Sequence, residues 1–146
     1  MGMYAGAAGQ RPVRKLKKRA TVPVNYRYDE FANRLLTRCE GAVNLAEVGA
    51  HFKKLGRDAR LKPNCDVVLD LSFQTHLPTA GQVDEIATMI EDMIELVPLG
   101  RCAVIASESL GYGLGRMFQG FTWPLFMGIR VFRNHTEAVR WLQQDA

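Results

Sequence analysis

No apolar run in this chain approaches the roughly 20 residues that a membrane-spanning helix needs. Its first residues also show no apolar core of a secretory signal, so a cytoplasmic protein is expected. Cysteine is scarce: Cys39, Cys65 and Cys102 are three in all, far apart and without a C-x-x-C pair. An odd count beside apolar residues argues against a disulfide framework or a thiolate metal cluster and predicts reduced, buried thiols. The three histidines, His51, His76 and His135, have no metal-ligand spacing and stand in no known nucleophile motif. No cofactor and no metal are expected on these grounds. Acid is missing altogether from residues 1–20.

That last absence explains the charge. The chain of 146 residues has a net charge of +4. Residues 1–20 hold Arg11, Arg14, Lys15, Lys17, Lys18 and Arg19; the 19 basic residues less these six leave 13 against 15 acidic ones, so 21–146 carries −2. A Gly/Ala-rich start followed by a basic run has too little apolar surface to fold, and residues 1–20 are expected to be disordered. Such a tail either touches nucleic acid or an anionic membrane weakly, or is solvated with no partner. The remainder, 47% hydrophobic and 23% charged over the whole chain, suits one globular domain spanning 21–146.

Periodicity places the elements of that domain. "TVPVNYRY" and "RLLTRCEGAV" read as strands joined by "DEFAN" in a hairpin. Asn44 and Glu47 form a capping-box-like start for a helix whose Leu45, Val48, Phe52 and Leu55 share a face, with His51 on its polar side and its end near Leu61 to Pro63. "CDVVLDLSF" has too few polar residues for a wet face, as in a strand buried on both sides of a parallel sheet. Thr79 and Gln82 open a second helix with Val83, Ile86, Ala87, Ile90, Met93 and Val97 inside. Asp84, Glu85, Glu91, Asp92 and Glu95 lie outside, and Gly100 is its stop. "RCAVIAS", a helix from Ser109 to Phe121, "GIRVFRN" and a last helix capped by Asn134 and Glu137 complete the order ββαβαβαβα. The fold expected is α/β, a mixed, mostly parallel five-stranded sheet with right-handed crossover helices.

In such folds ligands and switches gather where strands end, which directs attention to the loop after Asp70. Ser72, Thr75, His76, Thr79 and Gly81 are candidate binding residues there. A small hydrolase built from Asp70, Ser72, Thr75, His76 and Thr79 is conceivable; the plainer reading has Asp70 and the hydroxyls bonded to loop amides and Thr79 as a helix cap. "LGYGLGRMF" misplaces its third glycine for a dinucleotide fingerprint, so Gly111 and Gly115 read either as sites of close helix packing or as an anion contact. Tyr112 and Arg116, four apart, are either a recognition pair beside the "SFQTHLP" loop or an exposed stacked pair. In "GFTWPLFMGI", Phe118, Phe121 and Ile129 are expected to supply the core. Trp123 is expected to be partly exposed, in an interface or at the mouth of an apolar pocket.

The element order and two motifs resemble the STAS domain, the fold of bacterial anti-sigma-factor antagonists and their SpoIIAA-like relatives. The family's D-L-S, five residues, then D-S-S-G is matched by Asp70-Leu71-Ser72, five residues, then Pro78-Thr79-Ala80-Gly81. "GRCAVIASESLGYGLGRMFQGF…GIRVFRNHTEAVRWL" is similar to the family's last strand-helix-strand-helix, and "YGLGRMF…RVFRNHTEAVRWL" looks most like the SpoIIAA-like branch. The resemblance covers about residues 22–143. It implies a non-catalytic regulatory module that binds another protein, or itself, through the loop and the helix after it. An alternative is a small-molecule or lipid-binding module of the same fold, because related folds hold apolar ligands. Antagonists are phosphorylated on the second serine of D-S-S-G; here that position is Ala80, with no hydroxyl, so the phospho-switch is expected to be missing. Thr79, one residue earlier, is either the helix cap or a displaced phosphoacceptor.

Overall fold

In the computed structural model, residues 24–42, 45–76, 78–106 and 109–144 are described, with backbone alone for 109–111. Residues 1–20, and the cap expected of Asn44, lie outside them.

The apolar run becomes β3 (Cys65–Gln74), the middle strand of a five-stranded sheet ordered β1-β2-β3-β4-β5. The hairpin pairs β1 (Val24–Asp29) antiparallel with β2 (Arg34–Gly41). β2–β3, β3–β4 (Leu99–Ile105) and β4–β5 (Gly128–Phe132) are parallel. Asp29 turns the hairpin, its carboxylate accepting the Phe31 and Ala32 amides at 3.0 and 3.1 Å, while Asn33 adopts the left-handed conformation at φ 50°. Among the described residues, four helices cross between strands or follow the last one: α1 (Leu45–Arg57), α2 (Ala80–Ile94), α3 (Ser109–Thr122) and α4 (His135–Leu142). The order ββαβαβαβα is therefore that of the described residues.

Alternation along each strand sorts side chains between two unequal layers. Leu35, Val67, Leu71, Cys102, Val104 and Ile129 face α1, α2 and α3 and form the main core. Val68, Ala103 and Ile105 face the other way and, among the described residues, pack with Ala138 and Leu142 of α4, with Leu36, Phe132 and Trp141 at the margin. Arg101 holds α4 down: its guanidinium donates to the Trp141 and Leu142 carbonyls at 3.3 and 2.6 Å, bonding two carbonyls of the last turn to the sheet. Asp66 fixes the start of β4 by accepting the Arg101 amide at 2.8 Å.

Several boundaries differ from those expected. α1 stops at Arg57, not near Leu61, because Asp58 takes the Arg60 amide at 3.1 Å and its guanidinium at 2.9 and 2.7 Å, turning the chain. Tyr26 adds its hydroxyl to the same carboxylate at 2.8 Å. α2 ends at Ile94, and Gly100 belongs to β4 instead of stopping the helix. A Cβ on Gly100 would come within 2.5 Å of the Asp66 carboxylate and 2.6 Å of the Asn64 carbonyl, so close approach of neighbouring chain explains this glycine. Phe121 is not core: it stays 38% exposed, and the wholly buried neighbour is Thr122, whose hydroxyl donates to the Phe118 carbonyl at 2.7 Å. His51 is 7% exposed, not on a polar face, because Val48, His51, Phe52 and Leu55 together form the face α1 turns inward.

Gly115 is where α3 meets the sheet most closely: a Cβ there would lie 3.1 Å from Val131 and 3.3 Å from Val104, whereas one on Gly113 would meet nothing within 4 Å. Gly113→Ala is expected to stabilise by up to about 1 kcal/mol through helix propensity. Gly115→Ala gains the same amount but crowds two stiff valines at a cost of about 1–3 kcal/mol, so it should come out neutral to destabilising. Urea denaturation of both variants checks this; equal stabilisation would mean that α3 stands off the sheet.

Candidate functional site

The loop after β3 is built by a one-residue irregularity. Arg38 pairs with Asp70 and Glu40 with Phe73, so two steps along β2 match three along β3. The extra residue falls at Leu71–Ser72, and the buried Asp70 carboxylate accepts the Ser72 amide at 2.9 Å there. Strict alternation would have sent Phe73 inward and Gln74 outward. The bulge reverses them: Phe73 is 50% exposed beneath the Arg38 guanidinium at 4.4 Å, and Gln74 turns to the side of α1 and α2.

Beyond the bulge the polar atoms bond to one another. The Thr75 amide donates to the Gly41 carbonyl at 3.0 Å, and the Thr75 hydroxyl meets the His76 ring at 3.0 Å. Thr79 caps α2: its side-chain oxygen accepts the Gln82 amide at 3.2 Å, while the Gln82 side chain accepts the Thr79 amide at 2.9 Å. Gly81 lies exposed in the first turn, next to Ala80. Ser72, Thr75, His76, Thr79 and Gly81 thus share one loop, with the hydroxyl of Thr79 serving as a cap.

The other candidates lie elsewhere. Tyr112 does not pair with Arg116; its ring stacks with Arg133 at 4.2 Å, beside β5. Arg116 is exposed on α3. Trp123, 65% exposed, sits in a single 3-10 turn, Trp123–Leu125, between α3 and β5. Because α3 runs back from the carboxyl end of β4 to the amino end of β5, this turn is at the opposite edge of the sheet from the loop. Met127 beside it is 66% exposed, while Leu125 and Phe126 pack onto the core.

Between the sheet and α1–α2 runs a cavity of about 110 Å³. Its inner part is lined by Met93, Leu99, Cys102, Phe118 and Phe126, its outer part by Leu45, Gln74, Pro78 and Gln82 at the carboxyl end of β3. Gln74 is the residue of interest. Its side-chain Nε2 donates to the His76 carbonyl at 3.4 Å, which assigns the other amide atom, Oε1, as the acceptor; that oxygen is buried without a hydrogen-bond partner. Burial pushes the Cys39 thiol on the cavity wall up to about 12 and raises that of Cys102 as well, so both remain thiols at neutral pH. Cys39, Cys65 and Cys102 are all free, the last two fully buried. Sequence reasoning missed Gln74 and His51 as cavity residues. The signal for His51 was its place three after Val48; that for Gln74 depends on the bulge.

Comparison with protein-family models and with curated proteins gives no match in either case. No helix among the described residues is long and apolar enough to cross a membrane.

His51 lies against Tyr26 and Phe52, ring centres 5.6 and 5.2 Å away. Burial, and secondarily the charge of Lys54, lowers its pKa to about 4. The unfolded chain therefore takes up this proton near pH 6.5 and the folded one only near 4. Stability contributed by neutral His51 is complete above pH 6.5 and is lost as pH falls towards 4, by about 3 kcal/mol in all. Chemical denaturation across this range should show that slope, and His51→Phe, which keeps a ring in place, should flatten it. An unchanged profile in the variant would assign the slope to other groups.

Proposed function

We propose that the chain is a non-catalytic, STAS-like binding module of bacterial type whose ligand is a small apolar molecule held between the sheet and α1–α2. The observation that carries this reading is the apolar cavity with the unpartnered carbonyl oxygen of Gln74 at its outer end. Its lining follows β3 from Val67 to Gln74, roughly 20 Å at the rise of a strand, yet it encloses only about 110 Å³. A long, narrow space of that kind suits one hydrocarbon chain better than a fused-ring compound. The oxygen of Gln74 favours a chain ending in a donor, such as an alcohol or amide. Filling a cavity of this size is worth about 2–3 kcal/mol at about 24 cal/mol per Å³.

The loop supports a binding role over a catalytic one. Asp70, Thr75 and Thr79 are engaged in local bonds with Ser72, His76 and Gln82. Ala80 at the family's phosphoacceptor position favours a module without that switch.

Native mass spectrometry and solvent extraction of the purified chain should find a small apolar compound. Added 1-hexanol should raise the melting temperature, by the equivalent of about 2.7 kcal/mol at a hundredfold excess over Kd, and more than hexane does. Val48→Phe, which places a ring in the cavity, should remove the response while the fold persists. No bound compound and no response to any of these probes would overturn the proposal.

A second reading, regulation through a protein interface, is favoured by the exposed Trp123 and Met127. The acidic outer face of α2, with Asp84, Glu85, Glu91, Asp92 and Glu95 all exposed, would suit a basic partner. Trp123→Ala should then cost under about 1 kcal/mol in stability, as a surface change does, yet weaken self-association in analytical ultracentrifugation. A loss of about 3–5 kcal/mol would mean that the side chain is ordinary core.

A further inference from the structure

We propose that the groove between β5 and α4 is a second binding site, for a nucleotide unit, presented free or within a single strand. The groove measures about 400 Å³ and lies along the β5 edge of the sheet, lined by α4 and by Tyr112 of α3, apart from the apolar cavity. Three arginines, Arg130, Arg133 and Arg140, open onto it, with Glu137 the one acid among the described residues of its lining. All three are exposed, and none forms an ion pair with a described residue. A cluster of this sign does not reflect the domain as a whole, since 21–146 carries −2. The exposed acids of α2 lie on the opposite face of the sheet.

The aromatic setting selects the ligand. The Arg133 guanidinium lies 4.2 Å from the Tyr112 ring centre, and that of Arg130 lies 5.5 and 5.9 Å from those of Phe132 and Trp141. A guanidinium laid on a ring is partly immobilised before any ligand arrives. It keeps its outer face for stacking on a base and its in-plane N–H groups for phosphate oxygens. Arg101, which also approaches Trp141 at 5.3 Å, is committed to the α4 carbonyls and Asp66, and it holds α4 in place. Carboxylates of an acidic peptide could satisfy the charge but would not use the stacking faces. Planar bases joined to phosphates use both, which is how single strands and splayed-out nucleotides are held. A duplex keeps its bases paired and offers only its backbone.

Fluorescence anisotropy of the full-length chain with fluorescein-labelled (dT)12 tests this, because the basic residues of 1–20 are then the same in every variant. Arg133→Glu combined with Arg140→Glu should weaken binding at least tenfold and lower the slope of log K against log salt by about 1.4, two phosphates at about 0.7 each. Both positions are exposed, so the melting temperature should not move. Arg133→Lys, which keeps charge but loses the planar face, should weaken (dT)12 binding several-fold while leaving binding of an abasic strand of equal length unchanged. Competition by AMP at comparable concentration would point to a free nucleotide as the source, and its failure to a strand. Undiminished binding by the double variant, equal affinity for poly-glutamate or for the abasic strand, or no binding by the parent at low salt would each overturn the proposal.

Discussion

Burial of β3 on both faces is the constraint on which the other elements depend. A strand flanked by β2 and β4 satisfies its amides and carbonyls along both edges, so its side chains are free to be apolar on either side. Val67 and Leu71 then require one covering layer and Val68 another. Parallel pairing with both neighbours forces each return of the chain to cross over a face of the sheet, and the crossover helices supply those layers.

The two layers are unequal, and the properties of the two sides follow from that. Three helices on one side enclose a thick interior whose packing leaves a narrow apolar space along β3. Among the described residues, a single short helix on the other side, tied down by Arg101, covers Val68, Ala103 and Ile105, and at the β5 margin arginines rest on aromatic rings. The apolar cavity and the arginine-lined groove thereby lie apart, the first inside the thick layer and the second at the β5 edge. The outer end of the cavity meets, at Gln74, Pro78 and Gln82, the loop that residue types alone single out, whereas the groove lies apart from it.

That loop shows how far residue patterns reach. Thr79 and Gln82 were legible as a helix start because a capping box is made of residues three apart, and the bonds form as that spacing implies. Asp70 as a strand-end group bonded to an amide was legible for the same local reason. Tyr112 was not paired correctly, because its partner Arg133 follows β5, far along the chain, whereas Arg116 only shares its helix. His51 was assigned to solvent by its polarity, although its position three after Val48 puts it on the buried face, where burial keeps it neutral well below its ordinary pKa.

Element order and type, the two-sided burial of the central strand and the placing of helix caps are local properties, governed by side-chain period and by hydrogen bonds spanning three or four residues. They are accordingly present in the chain before it folds. The tertiary structure alone decided which side chain enters the cavity. One extra residue at Leu71–Ser72, measured against β2, exchanges Phe73 for Gln74 and converts an expected apolar wall into an unpartnered acceptor. Register between strands distant in sequence is set by packing and pairing across the whole sheet, and a slip of one residue reverses every face beyond it.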